Sequence, residues 1–474
     1  MIPKMGIKRI TILLLLTLGI ALYVNFQSLN YYFFQDDWFI LNDLKTLNPL
    51  TIFLPRNDII YYRPIGIQTF FLVSKNLFGL NPLGYHVLGF GAFMLSLVLI
   101  YKITFQLTAK KLTGLLAALL YGTAGIHYMA LSWLSLTWNY IGLAFFLLAL
   151  KFAISFLDTN KNKYVVGAFV FFLLCLFSTE FALVLPFFVI GIILGKNIKL
   201  TKQLLILYFK TALPYVFTVF VYFLIRVFVI PIPAEGVYRP EVGSHIFKHY
   251  IWYFLWTINV PEIFKYHLSL TNFTLTSEML SATQNIVKPI IGLIFTEFIL
   301  LACSSLLYLR KVKVKLVGIA ACLFAIALAP VISLPHHTYV YYLTFAALPV
   351  IFLISIVVDG NLKSKNKLSV GIAGLLIISW VMLSINSKTF NEVTHWVPAE
   401  QVVSRKIVQA ALQNGSKNPS VIVIYPSSKL VKLSLLDQQA MKLIFGERVK
   451  TKYIETLDGH SVAFGDTFIM WDRP

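Results

Sequence analysis

Charge is what this sequence has least of. Only 13% of its 474 residues are charged, against 58% hydrophobic, and the mean hydropathy is +0.77. Soluble domains carry roughly 25% charged residues, so a soluble globular protein is excluded and an integral membrane protein with many spans is indicated. Acidic residues are scarcest, 20 Asp+Glu against 40 Lys+Arg, for a net charge of +20. On a soluble chain that balance would point to nucleic acid. Here the basic residues sit in short loops between apolar runs, where they set membrane orientation, so no nucleic-acid partner is expected. Cysteine is also scarce: Cys175, Cys303 and Cys322 all lie inside apolar runs. That position suits small core hydrophobes better than disulfides or metal ligands. No internal repeat, inverted or direct, and no low-complexity stretch is visible. The N-terminus carries Lys4, Lys8 and Arg9 before an apolar stretch to Phe26. It is longer than a signal-peptide core and lacks a small-residue cleavage site, so an uncleaved first span is expected.

What is abundant is apolar sequence in lengths suited to a bilayer. Runs at 10–26, 82–106, 112–130, 138–157, 164–178, 181–195, 211–230, 288–309, 316–334, 339–358 and 368–386 predict about eleven spans by the length needed to cross the hydrocarbon core. Loop charge tests the threading. Lys4/Lys8/Arg9, Lys110/Lys111, Lys161/Lys163, Lys196/Lys199/Lys202, Arg310/Lys311/Lys313/Lys315 and Lys363/Lys365/Lys367 fall on alternate sides of successive spans. All six therefore land on one side, the cytoplasm. The N-terminus is expected to be cytoplasmic and the protein a multi-pass protein of the plasma membrane. The runs 164–178 and 181–195 are shorter than a normal span, which predicts that the Ser178-Thr179-Glu180 turn is sunk below the outer surface.

This threading leaves outside a first loop 27–81, short turns near 131–137, 178–180 and 335–338, a long loop 231–287, and the tail from 387. In the first loop, Trp38–Leu41 and Ile65–Phe78 have apolar residues at helical spacing and are expected to lie along the membrane surface. The tail reads as a small α/β module: a helix at 399–414, a strand Val421–Tyr425 ending at Pro426, a helix at 435–445, and strands near 449–454 and 461–471. It carries no phosphate loop, paired His/Cys or nucleophile elbow, so it is expected to be a stabilising or acceptor-binding cap. The fold class expected is thus mainly α: a polytopic transmembrane helical domain over 1–386 and an extracytoplasmic α/β module over 387–474.

Scarcity makes the remaining acids conspicuous. Asp36 and Asp37 stand side by side in Phe34-Gln35-Asp36-Asp37-Trp38, just outside the first span. They read either as helix caps, a common use of Asp, or as a general base for an acceptor hydroxyl or ligands for a divalent cation. Glu180 lies in the sunken turn, where an acid is costly unless it faces a wet cavity. It suits a metal or sugar hydroxyls. Arg63 offers a guanidinium fork for a phosphate, and Arg226 and Arg239 are further phosphate contacts or snorkelling side chains. His86 and His127 border apolar runs on the outer side, and His336 and His337 lie in the last outer turn beside Tyr339, Tyr341 and Tyr342. These histidines read as structural or phosphate-contacting groups, and the tyrosines as an aromatic belt. A zinc site lacks a third ligand of diagnostic spacing.

Several of these stretches together resemble the GT-C superfamily of polytopic glycosyltransferases, above all the protein O-mannosyltransferases and their relatives. The resemblance rests on Asp36-Asp37-Trp38 after the first span, Tyr62-Arg63-Pro64, and Asn81-Pro82-Leu83-Gly84-Tyr85-His86. It continues in Gly125-Ile126-His127 with Ser132-Trp133, in Ser178-Thr179-Glu180-Phe181 with Pro186, and in His336-His337-Thr338-Tyr339-Val340-Tyr341-Tyr342. It covers roughly 10–345, and Thr179 stands where that family usually has Lys, His336 and His337 where it has Arg. The resemblance implies a lipid-phosphate-sugar-dependent hexosyl- or pentosyltransferase using a polyprenyl-phosphate donor within the bilayer. It also implies that the acid matching Asp36 or Asp37 is the catalytic base, or a ligand where a branch is metal-dependent, with Asp36, Asp37 and Glu180 as the only ligands in view and no other cofactor expected. Arg63, His86, His127, Glu180, Arg226, Arg239, His336, His337 and Tyr341 would then contact substrate or phosphate. The competing expectations are a transporter or flippase of lipid-linked sugars, an O-antigen ligase or polymerase type of enzyme, and a non-catalytic scaffold. A transporter predicts charged residues near the midplane of several spans, whereas these candidates gather at the outer ends.

Overall fold

The computed structural model describes residues 7–196, 202–230, 235–269, 274–276, 284–308, 312–414, 419–455 and 467–471. Its helices in chain order begin with α1 (Ile7–Asn25), α2 (Asp36–Asp43), α3 (Phe70–Phe78), α4 (Pro82–Thr108), α5 (Lys111–Thr123), α6 (Tyr128–Ser132) and α7 (Trp138–Thr159). They continue with α8 (Asn162–Leu176), α9 (Leu185–Gly195), α10 (Lys202–Phe228), α11 (His245–Thr257), α12 (Phe264–His267), α13 (Gln284–Tyr308), α14 (Val314–Leu328), α15 (Leu343–Leu362) and α16 (Lys367–Thr394). The tail adds α17 (Trp396–Asn414), α18 (Lys429–Ser434) and α19 (Gln439–Phe445).

Every apolar run of the sequence is helical, but they are not equal. Among the described residues, six helices are long and apolar enough to cross a membrane: Lys8–Asn30, Pro82–Thr108, Leu134–Thr159, Asn285–Tyr308, Val340–Leu362 and Lys367–Thr394. A seventh candidate, Lys111–Thr123 with Gly125–Ser132, is bent by 48°. The bend falls where Ala124 is extended and the Gly125 N–H leaves the helix ladder to donate to Asn259 Oδ1 (2.7 Å). Asn162–Leu176, Glu180–Gly195, Ala212–Phe228 and Val314–Leu328 are apolar but shorter. A helix of 15 residues such as α8 reaches only about 23 Å, less than the hydrocarbon core. Eleven full spans are therefore not shown: among the described residues six helices, or seven counting the bent pair, have the length and apolarity to cross a membrane.

Large apolar side chains fill the interior where α4, α5, α7, α8 and α15 meet, including Tyr121, Tyr140, Phe146, Phe172 and Phe345. The expectation that the first-loop helices lie on the bilayer is corrected for α2. Trp38 and Leu41 are fully buried, because the tail folds back over them. The segment 64–78 opens as a π-helical turn, Pro64–Thr69, before α3, and Ile67, Phe70 and Phe71 point inward.

The last apolar helix passes 386 and runs on to Thr394 before α17 begins. Beyond it, the strands Val421–Tyr425 (β3), Lys450–Tyr453 (β4) and Thr467–Met470 (β5) form a parallel sheet in the order β4-β3-β5. A two-stranded antiparallel ladder, β1 (Leu268–Ser269) with β2 (Thr274–Leu275), is the other sheet among the described residues. Of the helix expected at 435–445, Gln439–Phe445 forms α19, and Leu436 and Asp437, both with positive φ, separate it from α18. Residues 461–466 of the last expected strand lie outside the described residues.

Candidate active site

The acidic turn is set by backbone as much as by side chain. Gln35, the residue before α2, has φ 47°, and its N–H donates to the Ser434 carbonyl (3.1 Å). That places Asp36 and Asp37 in the first turn of α2, where the helix dipole favours anions. From there the two carboxylates diverge. Asp37 is fully buried: its Oδ1 accepts from the Ser135 N–H (2.7 Å) and the Ser135 hydroxyl, and its Oδ2 accepts from the Phe34 N–H (3.2 Å). Burial pushes its carboxyl up to about 8, against the opposing pull of the Ser135 and Phe34 donors. Asp37 thus ties the first loop to the 134–136 turn.

Asp36 lines a cavity of about 820 Å³, and its carboxylate makes no hydrogen bond or ion pair with another described residue. It is open to the space inside the cavity although protein surrounds that space, and the enclosure pushes its carboxyl up to about 6.

The opposite wall is built by two glycines. A Cβ on Gly66 would sit 2.5 Å from the Ser178 carbonyl and 2.8 Å from Trp138 Cβ. A Cβ on Gly142 would sit 2.4 Å from Thr179 Cγ2. Their bare backbones let the 64–69 turn and α7 close on the Ser178-Thr179-Glu180 stretch, and the Ile65 N–H donates to the Phe177 carbonyl (2.9 Å). As a result Arg63 meets Glu180: Nε and Nη2 both donate to Oε2, at 3.0 and 2.9 Å. The guanidinium also lies over the Trp138 ring, 3.8 Å from its centroid, a stacking suited to Arg.

Arg226 closes the cavity from α10, one nitrogen donating to the Ile60 carbonyl (2.6 Å). His337 and Tyr341 line it as well, with His337 Nε2 hydrogen-bonded to the Tyr341 hydroxyl (3.0 Å). Burial lowers the His337 ring to about 4, with Arg63 adding to the effect, so it is neutral at pH 7. Two buried donors, Tyr222 OH and Trp133 Nε1, line the cavity without a partner among the described residues. Unpaired buried donors cost free energy unless something fills the space.

No protein-family model and no curated protein matches the chain. Among solved structures it is similar to the oligosaccharyltransferase AglB of Archaeoglobus fulgidus in complex with an inhibitory peptide and a dolichol-phosphate. The identity is 13%, the match covers 94% of this chain and 64% of that chain, and the TM-score is 0.43. It is also similar to the Archaeoglobus fulgidus oligosaccharyltransferase in complex with Zn and sulfate (14% identity, 93% and 62% covered, TM-score 0.47) and to its apo form (13%, 95% and 65%, 0.45). This chain spans less than two thirds of the length of those chains.

Of the residues singled out in the sequence, Asp36, Arg63, Glu180, Arg226, His337 and Tyr341 share the cavity. So do Tyr339 and Tyr342 of the expected aromatic belt and Trp133 and Phe181 of the motif stretches, whereas Asp37, His86, His127, Arg239 and His336 do not line it. His86 is buried, its Nε2–H donating to the Tyr31 carbonyl (3.2 Å). His127 is fully buried, donating from Nε2 to the Tyr121 carbonyl (2.5 Å) and accepting at Nδ1 from Tyr140 OH (3.0 Å). With both ring nitrogens engaged by the protein, His127 braces the bent α5–α6 pair. His336 is exposed, and Arg239 is an exposed residue facing Glu241 at 3.8 Å.

Sequence reasoning missed Tyr61, Trp138, Tyr222 and Tyr238 on the cavity wall, and Glu400 and Trp396, which reach it from α17. Tyr222 had a signal, since it lies one helical turn before Arg226. Glu400 had none.

A divalent cation fits this arrangement poorly. Among the described residues no group of three His, Cys, Asp or Glu side chains is placed to hold one. Asp37 is filled by three donors, and Glu180 already faces a guanidinium that would repel a cation. No step is routed through a metal below.

Proposed function

We propose that the chain is a membrane glycosyltransferase of the GT-C type, moving a sugar from a polyprenyl-phosphate-linked donor to an acceptor hydroxyl at the extracytoplasmic face. The observation that carries this reading is the fate of the acid pair: one carboxylate is spent on structure, while its neighbour stands free in a cavity that also holds Arg63 and Arg226. The resemblance of the short motifs at these positions supports the same reading.

In this mechanism Asp36 takes the proton of the acceptor hydroxyl as its oxygen attacks the anomeric carbon. The bond from that carbon to the phosphate oxygen breaks, and the lipid phosphate leaves with the electron pair. Arg226 and the outer edge of Arg63 stabilise the departing charge, the role of preorganised donors at a developing anion. Glu180 holds Arg63 in place and presents a carboxylate oxygen to sugar hydroxyls. The unpaired Tyr222 OH and Trp133 Nε1 supply further hydrogen bonds, and the aromatic walls exclude water. Direct displacement inverts the anomeric centre. The site would open outside the cell membrane, with the N-terminus in the cytoplasm, the acceptor being a protein, a lipid or a cell-surface glycan.

The test is transfer from labelled polyprenyl-phosphate sugars by the purified protein, compared with Asp36→Asn. Loss of transfer in the variant with its fold intact is expected. Full transfer by Asp36→Asn would sink the base assignment. No transfer from any monophosphate donor, with transfer from a diphosphate-linked glycan, would move the chain to the ligase or polymerase class.

A further inference from the structure

The tail does more than cover the first loop: it grips the acidic turn on both sides of Asp36. Helix α17 makes three side-chain contacts with that loop in succession. Gln401 Oε1 accepts from the Tyr32 N–H (3.3 Å), Glu400 Oε2 accepts from Gln35 Nε2, and Ser404 Oγ accepts from Trp38 Nε1 (3.1 Å). Glu400 and Ser404 are one helical turn apart, so they face the loop together. Trp396, a further turn back, packs edge-on against Trp133 and Phe34. The residue held by Glu400 is Gln35, whose positive φ sets the direction in which Asp36 leaves the chain. Glu400 is only 3% exposed, yet it lines the same cavity as Asp36. A carboxyl buried that deeply in a chain so poor in acids is costly to keep unless it is used.

We propose that Glu400 is a positioning residue for Asp36, holding the Gln35–Asp36 turn from the C-terminal module beside it in the same cavity. This rests on the reading of Asp36 as the base. Burial pushes the Glu400 carboxyl up to about 7, with the Asp36 charge adding to the rise, while Asp36 lies at about 6. The other titratable or charged groups around them are Tyr61 and Tyr238 beside Asp36, Tyr339 beside Glu400, and buried Asp37 beneath. Arg63, Glu180, Arg226 and His337 complete the cavity. A like charge beside a carboxyl favours its protonated form, so removing the Glu400 charge should lower the pH at which Asp36 gives up its proton.

Glu400→Gln and Glu400→Ala separate the two parts of the role in the full-length protein. The Gln variant keeps an oxygen that accepts from Gln35 but carries no charge, and the Ala variant loses both. Without any donor, infrared titration between pH 5 and 8 follows the carboxyl C=O band that Asp36→Asn removes, which separates Asp36 from the raised carboxyl of Asp37. Its midpoint should be lower in Glu400→Gln, and the band that Glu400→Gln removes should likewise move to lower pH in Asp36→Asn. In transfer assays, Glu400→Gln should keep most of kcat and move its acid limb to lower pH. Glu400→Ala should lose up to about 10²-fold in kcat, the size of a misplacement effect. If each carboxyl titrates identically whether or not the other is present, the placement of Glu400 against Asp36 is overturned. If Glu400→Ala keeps wild-type kcat and acid limb, the positioning role is overturned. The infrared result stands whether or not transfer is found, so failure of the transferase reading is seen separately, as absence of any transfer by the wild type.

Discussion

Asp36 and Asp37 are adjacent and chemically identical, yet among the described residues three donors surround Asp37 and none meets Asp36. Different environments give two carboxyls different roles. Asp36→Asn is expected to lower transfer by about 10²–10⁴-fold, the usual share of a general base, with an unchanged unfolding midpoint. Asp37→Asn should instead lower the unfolding midpoint, because an amide NH₂ would face the Ser135 or Phe34 donors. The cost is about 1–3 kcal/mol for a buried unsatisfied group, read by thermal unfolding in detergent. The pH dependence follows from Asp36, which acts only when deprotonated and is held at about 6. Transfer should therefore be near its plateau above pH 7, half-maximal near 6, and fall about tenfold per unit below that, measured as a kcat/KM profile at saturating acceptor. A profile flat down to pH 4 would remove Asp36 as the base.

At the scale of the element, the cavity depends on close backbone approach. Gly66 and Gly142 let the π-helical turn and α7 touch the Ser178–Glu180 stretch, and no larger residue fits at either point without displacement. Gly66→Val is expected to push the turn away and part Arg63 from Glu180, costing about 1–3 kcal/mol as an overpacked site does. The readouts are a lower unfolding midpoint and a raised KM for donor. A different element carries a burden without evident use. Glu297 sits in α13, 1% exposed, with neither carboxylate oxygen hydrogen-bonded among the described residues. An acid there destabilises the fold, so Glu297→Gln should raise the unfolding midpoint and leave transfer unchanged. The helices themselves were legible in the sequence, since an apolar run of bilayer length has few other solutions. The π-helical turn was not, because its cause is a carbonyl at Phe177, far along the chain from Ile65.

At the scale of the whole molecule, the tail and the first loop form one body. Asn42 Nδ2 donates to Gln439 Oε1 (2.6 Å), and Lys45 pairs with Glu447 (3.0 Å), in addition to the contacts of α17. Trp38 is fully buried between them, beside Tyr32 and Phe33. Trp38→Ala should cost about 3–5 kcal/mol, as large-to-small changes at buried aromatics do. It should also make the tail more readily cleaved by protease in the otherwise folded protein. An unchanged cleavage pattern would mean that the tail is held elsewhere.

The sequence by itself determined the membrane class, the order of helices and the presence of scarce acids and arginines at their ends. Hydropathy and loop charge act locally, through each segment's own partition into lipid or water. Only the tertiary structure decided which aspartate lines the cavity, that Arg63 is paired with Glu180 rather than idle, and that Glu400 reaches the same cavity. Arg63 and Glu180 are 117 residues apart in the chain, and Gln35 and Glu400 are 365 apart. A carboxylate's role depends on the donors and charges within a few ångströms of it, and at such separations packing alone brings those groups together.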